Sequence, residues 1–153
     1  MKLWALGAVS SLIAAMAAAP PSVAETIALA TVSTADTAKL DAITRQTFDG
    51  IINGKAHEAL DGFFGSSELM RSKAGELRML ANQIDSLGGL YGAMGECRLS
   101  EERIRAGLVV QRLYLCRHGQ YMTRWKLMFA NTSNGWTGAN ISYDDKVWLG
   151  LDD

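Results

Sequence analysis

The residue types able to do chemistry in this 153-residue chain are two cysteines, two histidines and a few acidic pairs. His57 and His118 fall on different elements, with no ligand spacing between them, and the usual metal motifs are absent. His57 is placed on a polar helix edge and His118 beside a hairpin turn, and a solvated role is expected for both. There is no Gly-x-Ser-x-Gly, no phosphate-binding loop and no dinucleotide fingerprint. Asp144 and Asp145 are adjacent, as are Asp152 and Asp153. Neighbours on a strand point to opposite faces, so neither pair is a natural acid–base dyad, and a turn and a charged tail account for them. Trp125, Trp136 and Trp148 could stack on a ligand, although at this spacing in a half-buried sheet they suit a core. No metal and no cofactor is expected.

What Cys97 and Cys116 do depends on the compartment. Lys2 precedes residues 3–19, which carry no charge, and then come Pro20, Pro21 and the small-residue pattern Ser22-Val23-Ala24. That order reads as a secretory signal peptide cleaved after Ala24. An uncleaved anchor is the alternative, since an apolar run of this length is at the short end of what can span a bilayer. Removal of residues 1–24 leaves a net charge of about −2, which argues against non-specific nucleic-acid binding. An oxidising compartment, periplasmic or secreted, permits a disulfide. The two thiols then pair with each other or stay buried and free, and the paired form leaves no thiolate nucleophile.

The elements that would position these residues follow from periodicity. Residues 25–35 read as a flexible lead-in and 36–153 as one α+β domain. Leu40, Ile43, Thr47, Phe48, Ile51 and Ile52 recur at helical spacing, with Ser33, Thr34 or Asp36 as cap and Asn53-Gly54 as stop. A short helix from Lys55 to about Phe64 is closed by Gly65. A third helix, capped by Ser66 or Ser67, carries the stripe Leu69, Lys73, Leu77, Leu80, Ile84 and Leu87 and ends at Gly88-Gly89. Beyond it, four segments rich in aromatic and β-branched residues are separated by turn signals at 106–107, 119–120 and 131–135. Gly92 and Gly95 suggest a bend or bulge in the first. Three helices followed by a four-stranded antiparallel meander is an α+β arrangement.

A turn centred on residues 106 and 107 sets Cys97 opposite Cys116, Glu101 opposite Arg112 and Glu96 opposite Arg117. Three favourable cross-strand pairs at one register support a Cys97–Cys116 disulfide. A turn at Gly119-Gln120 then gathers Leu99, Val110, Tyr114, Trp125, Leu127, Phe129 and the disulfide on one face. Glu96, Arg98, Arg117, Arg124 and Lys126 collect on the other, with Leu113, Leu115, Met122 and Met128 among them. Glu101 and Arg112 break the apolar pattern, and if covered they must pair, because an isolated buried charge is very costly. They either line a pocket between helices and sheet or form an ion pair at the sheet rim.

The helix–turn–helix stretch Phe48–Leu60 (FDGIINGKAHEAL) resembles the opening of the nuclear-transport-factor-like, ketosteroid-isomerase-like fold of the cystatin-like superfamily. Trp125–Phe129 (WKLMF) and Trp136–Ile141 (WTGANI) resemble its closing hairpin. The resemblance spans about residues 36–143. It implies a bent sheet wrapped around a long helix, leaving a cone-shaped cavity that hosts ligands or active sites in some members. The catalytic aspartate and tyrosine of the isomerases, and the His–Asp pair of the dehydratases, match no positions here. The chain is more similar to exported members that act as accessory or binding domains.

The leading expectation is therefore an exported, non-catalytic binding or interaction domain, holding a small apolar ligand near Glu101, Arg112, Tyr114 and Trp125. One alternative is a small isomerase, dehydratase or hydrolase with Glu101 as base. Another is a protein–protein module whose outer sheet face, through Arg98, Arg117, Arg124 and Lys126, meets an acidic partner.

Overall fold

The computed structural model describes residues 31–65 and 68–148. Residues 1–30, where a leader and its cleavage after Ala24 are expected, residues 66–67, the expected cap of the third helix, and residues 149–153 lie outside them. Among the described residues the order is α1 (Thr34–Ile52), α2 (Ala56–Phe64), α3 (Glu68–Ser72), α4 (Ala74–Tyr91), β1 (Met94–Arg105), β2 (Val109–His118), β3 (Met122–Thr132) and β4 (Gly135–Asp144). The strands form one antiparallel sheet in the order β1-β2-β3-β4. The architecture is the α+β meander expected, with four helices in place of three.

Helix α1 starts where the Ser33 hydroxyl accepts a hydrogen bond from the Asp36 amide, satisfying one of the amides a helix N-terminus leaves unpaired. Its buried stripe is Leu40, Thr44, Thr47, Phe48 and Ile51, while Ile52 turns outward. Phe48 meets the rings of Tyr114 and Trp125 edge-on, at 5.1 and 5.9 Å between centroids. Phe63 of α2 meets Phe129 in the same way at 5.4 Å. Burying each such side chain contributes roughly 2 kcal/mol. Phe63 also packs closely on β4 at Gly138, where a Cβ would stand 2.4 Å from its ring. Beside it, the Thr137 hydroxyl donates to the Phe64 carbonyl at 3.0 Å, capping the end of α2.

The third helix departs from the stripe read in the sequence. It breaks at Lys73, giving α3 and α4, and Leu69 is 66% exposed while Met70 turns inward. A continuous helix would press the Lys73 ammonium onto the core, which is costly, so the chain turns there and leaves Lys73 in water. Gly88-Gly89 does not end α4, which continues to Tyr91. There Gly92 takes φ +88° as C-cap, a conformation that favours glycine. The added turn is held by tertiary contacts that override glycine's poor helix propensity. Tyr91 stacks on Tyr121 and its hydroxyl donates to Asp145 at 3.3 Å.

The first hairpin shows how the predicted register is both kept and shifted. Arg105 pairs with Val109, so the connection takes in Leu108 as well as Ala106 and Gly107. This moves the pairs near the turn by one residue, to Glu102↔Arg112 and Glu101↔Leu113. A bulge between Leu99 and Glu101 then absorbs the offset, restoring Leu99↔Tyr114 and Cys97↔Cys116. The disulfide forms as read, Cα to Cα 4.0 Å, whereas Glu101 does not face Arg112. Leu99 keeps its register opposite Tyr114 but is 49% exposed on β1, an edge strand. The second hairpin follows its predicted register throughout.

Candidate functional site

The inner face of the sheet is packed where the sequence placed a pocket. Trp125 is fully buried, Arg112 2% exposed and Tyr114 8% exposed, and Phe48 occupies the space between the two aromatic residues. Arg112 donates from Nε to Glu102 Oε2 at 2.6 Å and from Nη1 to Asp41 Oδ1 at 2.8 Å. Its guanidinium carbon lies 6.0 Å from the centre of the Phe129 ring. Burial disfavours this cation, but hydrogen bonds to Glu102 and Asp41 and the proximity of Tyr114 outweigh it, holding Arg112 above the usual arginine range. The group clamps α1 and β1 onto the sheet. Asp41 and Glu102 were not singled out in the sequence. Asp41 was legible only as a charge beside the α1 stripe, and Glu102 is the neighbour that the bulge exchanges for Glu101.

Glu101 sits on the outer face, where it bonds Arg103. It is thus separated from Arg112, Tyr114 and Trp125, which the structure does bring together. His118, expected at a solvated turn, is buried at 4%. Its Nδ1 lies 3.0 Å from the Gly92 carbonyl and its Nε2 2.9 Å from Thr123 Oγ1. The Thr123 hydroxyl also accepts from the Trp125 indole at 2.8 Å. Because a carbonyl can only accept, Nδ1 carries a proton and donates it to the Gly92 carbonyl. Among the described residues no cluster of three metal-ligating side chains is present.

Open space lies elsewhere between helix and sheet. A cleft of about 260 Å³ runs between the α3–α4 corner and the edge of β4. Phe64, Met70, Leu77, Leu80 and Ile141 form its apolar walls, Leu69 lies at its mouth, and Lys73 and Glu76 supply its charge. Two features of the chain make it. The break at Lys73 swings α3 away from the line of α4. On β4, Ala139 is the extra residue of a bulge between Met128↔Asn140 and Phe129↔Gly138, which bends that edge. A second cleft of about 260 Å³ lies across α3, with Phe64, Met70 and Leu77 shared and His57, Asp61 and Arg78 at its margin.

The outer face of the sheet holds a third and larger depression, about 550 Å³, with Leu115 and Met122 among its lining residues and Glu96, Arg98 and Arg117 around it. Glu96 accepts from Arg98 at 2.7 Å and from Arg117 at 2.8 Å, and the Arg98 hydrogen bond, ahead of that of Arg117, holds its carboxyl below the usual carboxylate range. The predicted proximity of Glu96 and Arg117 is thus realised. The disulfide fits an oxidising, extracytoplasmic setting. Among the described residues no helix is long and apolar enough to cross a membrane.

No family model and no curated protein matches this chain. Among solved structures, a domain of unknown function with a cystatin-like fold from Nostoc punctiforme PCC 73102 superposes with a TM-score of 0.55 at 14% identity, over 79% of this chain and 83% of that one. A protein described as an NTF2-like transpeptidase, from Campylobacter jejuni, superposes with a TM-score of 0.52 at 8% identity, over 65% of this chain and 95% of that one. Likeness at these identities is one of fold, and the fold is the cystatin-like, NTF2-like one that the sequence pattern resembled.

Proposed function

We propose that this cystatin-like domain is a non-catalytic binding module of the periplasm or secreted fraction, released by cleavage after Ala24. It holds a small apolar ligand in the cleft between α3–α4 and β4. The observation that carries the reading is the contrast between two regions of the same interface. Around Arg112, Tyr114 and Trp125 the side chains fill the interior, whereas at the β4 edge Phe64, Met70, Leu77, Leu80 and Ile141 wall an open cleft. Ligand sites are typically concave and mostly apolar with a few placed polar groups, and Lys73 and Glu76 would supply those. At about 260 Å³ the cleft suits a ligand below drug size, since drug-sized sites start near ~300 Å³. Arg112, Tyr114 and Trp125 lie outside the lining of this cleft and do not touch the ligand. Glu101, on the outer face beside Arg103, takes no part.

The test is titration with N-phenyl-1-naphthylamine, a neutral apolar fluorophore, alongside native mass spectrometry of protein from its own source. The wild type is expected to enhance the dye's emission saturably. Ala139→Trp, which fills the cleft from the edge without entering the core, should weaken that binding at least tenfold. Equal binding by the variant, or no saturable enhancement with the wild type, overturns the reading.

A further inference from the structure

The outer face of the sheet carries charge that the apolar cleft does not use. Arg98, Arg103 and Arg105 of β1, Arg117 of β2, and Arg124 and Lys126 of β3 share this face by register, against the carboxylates of Glu96, Glu101 and Asp144. The whole chain is nearly neutral, at −1, so this excess of cations is local. Glu96 alone serves both Arg98 and Arg117. Each of those guanidiniums spends one nitrogen on it, and their side chains are 76% and 67% exposed. A guanidinium has five N–H donors in a planar fork, so both keep donors directed to solvent. Among the described residues no carboxylate pairs with Lys126. Between the cations lies the depression that includes Leu115 and Met122.

We propose that this face docks an extended acidic segment of a partner polypeptide. One apolar side chain of the segment seats on Leu115 and Met122, and flanking carboxylates meet Arg98, Arg117 and Lys126. The charge balance favours a polypeptide with discrete carboxylates over an anionic lipid surface, because Glu96, Glu101 and Asp144 stand among the cations and would confront a plane of phosphates. The bulge between Leu99 and Glu101 kinks the free edge of β1, which disfavours simple addition of a strand there. The segment therefore lies across the face, where its carboxylates gain bidentate partners.

The experiment uses fluorescence anisotropy with a short labelled peptide of alternating glutamate and leucine, and its lysine–leucine counterpart. The glutamate peptide is expected to bind, more weakly as salt rises, since exposed charges are screened. R98E and R117E should each weaken it at least tenfold. R78E, the same charge change on α4, should leave it within twofold, with circular dichroism confirming that all three variants are folded. Binding of both peptides alike, equal loss in R78E, or no binding of the glutamate peptide overturns the proposal. Phosphatidylglycerol vesicles that displace the bound peptide would reassign the face to lipid and also overturn it.

Discussion

Glu102 reaches across the first hairpin to accept the Nε–H of Arg112 at 2.6 Å, while Arg112 itself is 2% exposed. The carboxylates at the two ends of this clamp are not equivalent to its centre. Asp41 and Glu102 keep 52% and 31% of their side-chain surface in water, so they can be rehydrated, but the guanidinium cannot. Neutralising both acids, D41N with E102Q, strands a buried cation and is expected to cost about 3 kcal/mol. R112M removes the charge instead and should cost less, about 1 kcal/mol. E101Q, on the outer face, should stay within about 0.5 kcal/mol of wild type. Urea unfolding of the variants checks the order, and an E101Q cost equal to that of the D41N/E102Q double variant would contradict the register.

Gly138 admits no side chain, because a Cβ there would lie 2.4 Å from the Phe63 ring and 2.5 Å from the Phe63 carbonyl. G138A must push α2 off β4 or displace Phe63. Such overpacking costs about 1–3 kcal/mol, read as a drop of several degrees in the thermal midpoint. A midpoint unchanged from wild type would show that Phe63 yields at no cost.

Removing the disulfide tests the edge strand. Cys97 and Cys116 are 19 residues apart, and in the chain-entropy model a loop of that size contributes roughly 3 kcal/mol. The C97A/C116A variant should lose about that much in denaturant unfolding, and reductant should shift the wild type towards it. Reductant that leaves the wild-type curve in place would argue against a structural role for the bond.

The fold was legible in the sequence because its main signals are local. The Phe48 stripe, the stops at Asn53-Gly54 and Gly65 and the tight turn at Gly119 each specify their element through near neighbours. The site was not. The β1 register depends on an irregularity at Ser100 that no propensity marks, and it exchanged Glu101 for Glu102 as the partner of Arg112. The cleft at β4 depends on a helix break at Lys73 and an extra residue at Ala139, whose effects combine only in three dimensions. Lys73 was visible as the one polar residue in an apolar stripe. What could not be read was whether the helix would bury it or bend away from it.

Acid should weaken the β3–β4 edge in a defined sense. Burial raises the Asp144 carboxyl, but hydrogen bonds from Arg124 and the Lys146 amide outweigh it, leaving the pKa below its ordinary 3.8. A lowered folded-state value means stability that is complete above the ordinary value and is lost as pH falls through the folded one. D144N should therefore be less stable than wild type at neutral pH, with the difference shrinking below about pH 4. Thermal midpoints collected from pH 7 to 2 test this, and a gap that widens in acid would reverse the sign.

The end of α4 is tied down by residues that come much later in the chain. The Gln120 amide donates to the Tyr91 carbonyl at 3.2 Å, and His118 holds the Gly92 carbonyl. Both lie at the tip of the β2–β3 hairpin, so the last turn of the helix has no permanent partner until that hairpin closes. This sets an order of events during folding, with most of α4 free to form early and its final turn waiting on the hairpin tip. In pulsed hydrogen exchange the amides of Leu90, Tyr91 and Gly92 should gain protection together with β2 and β3, after the middle of their own helix.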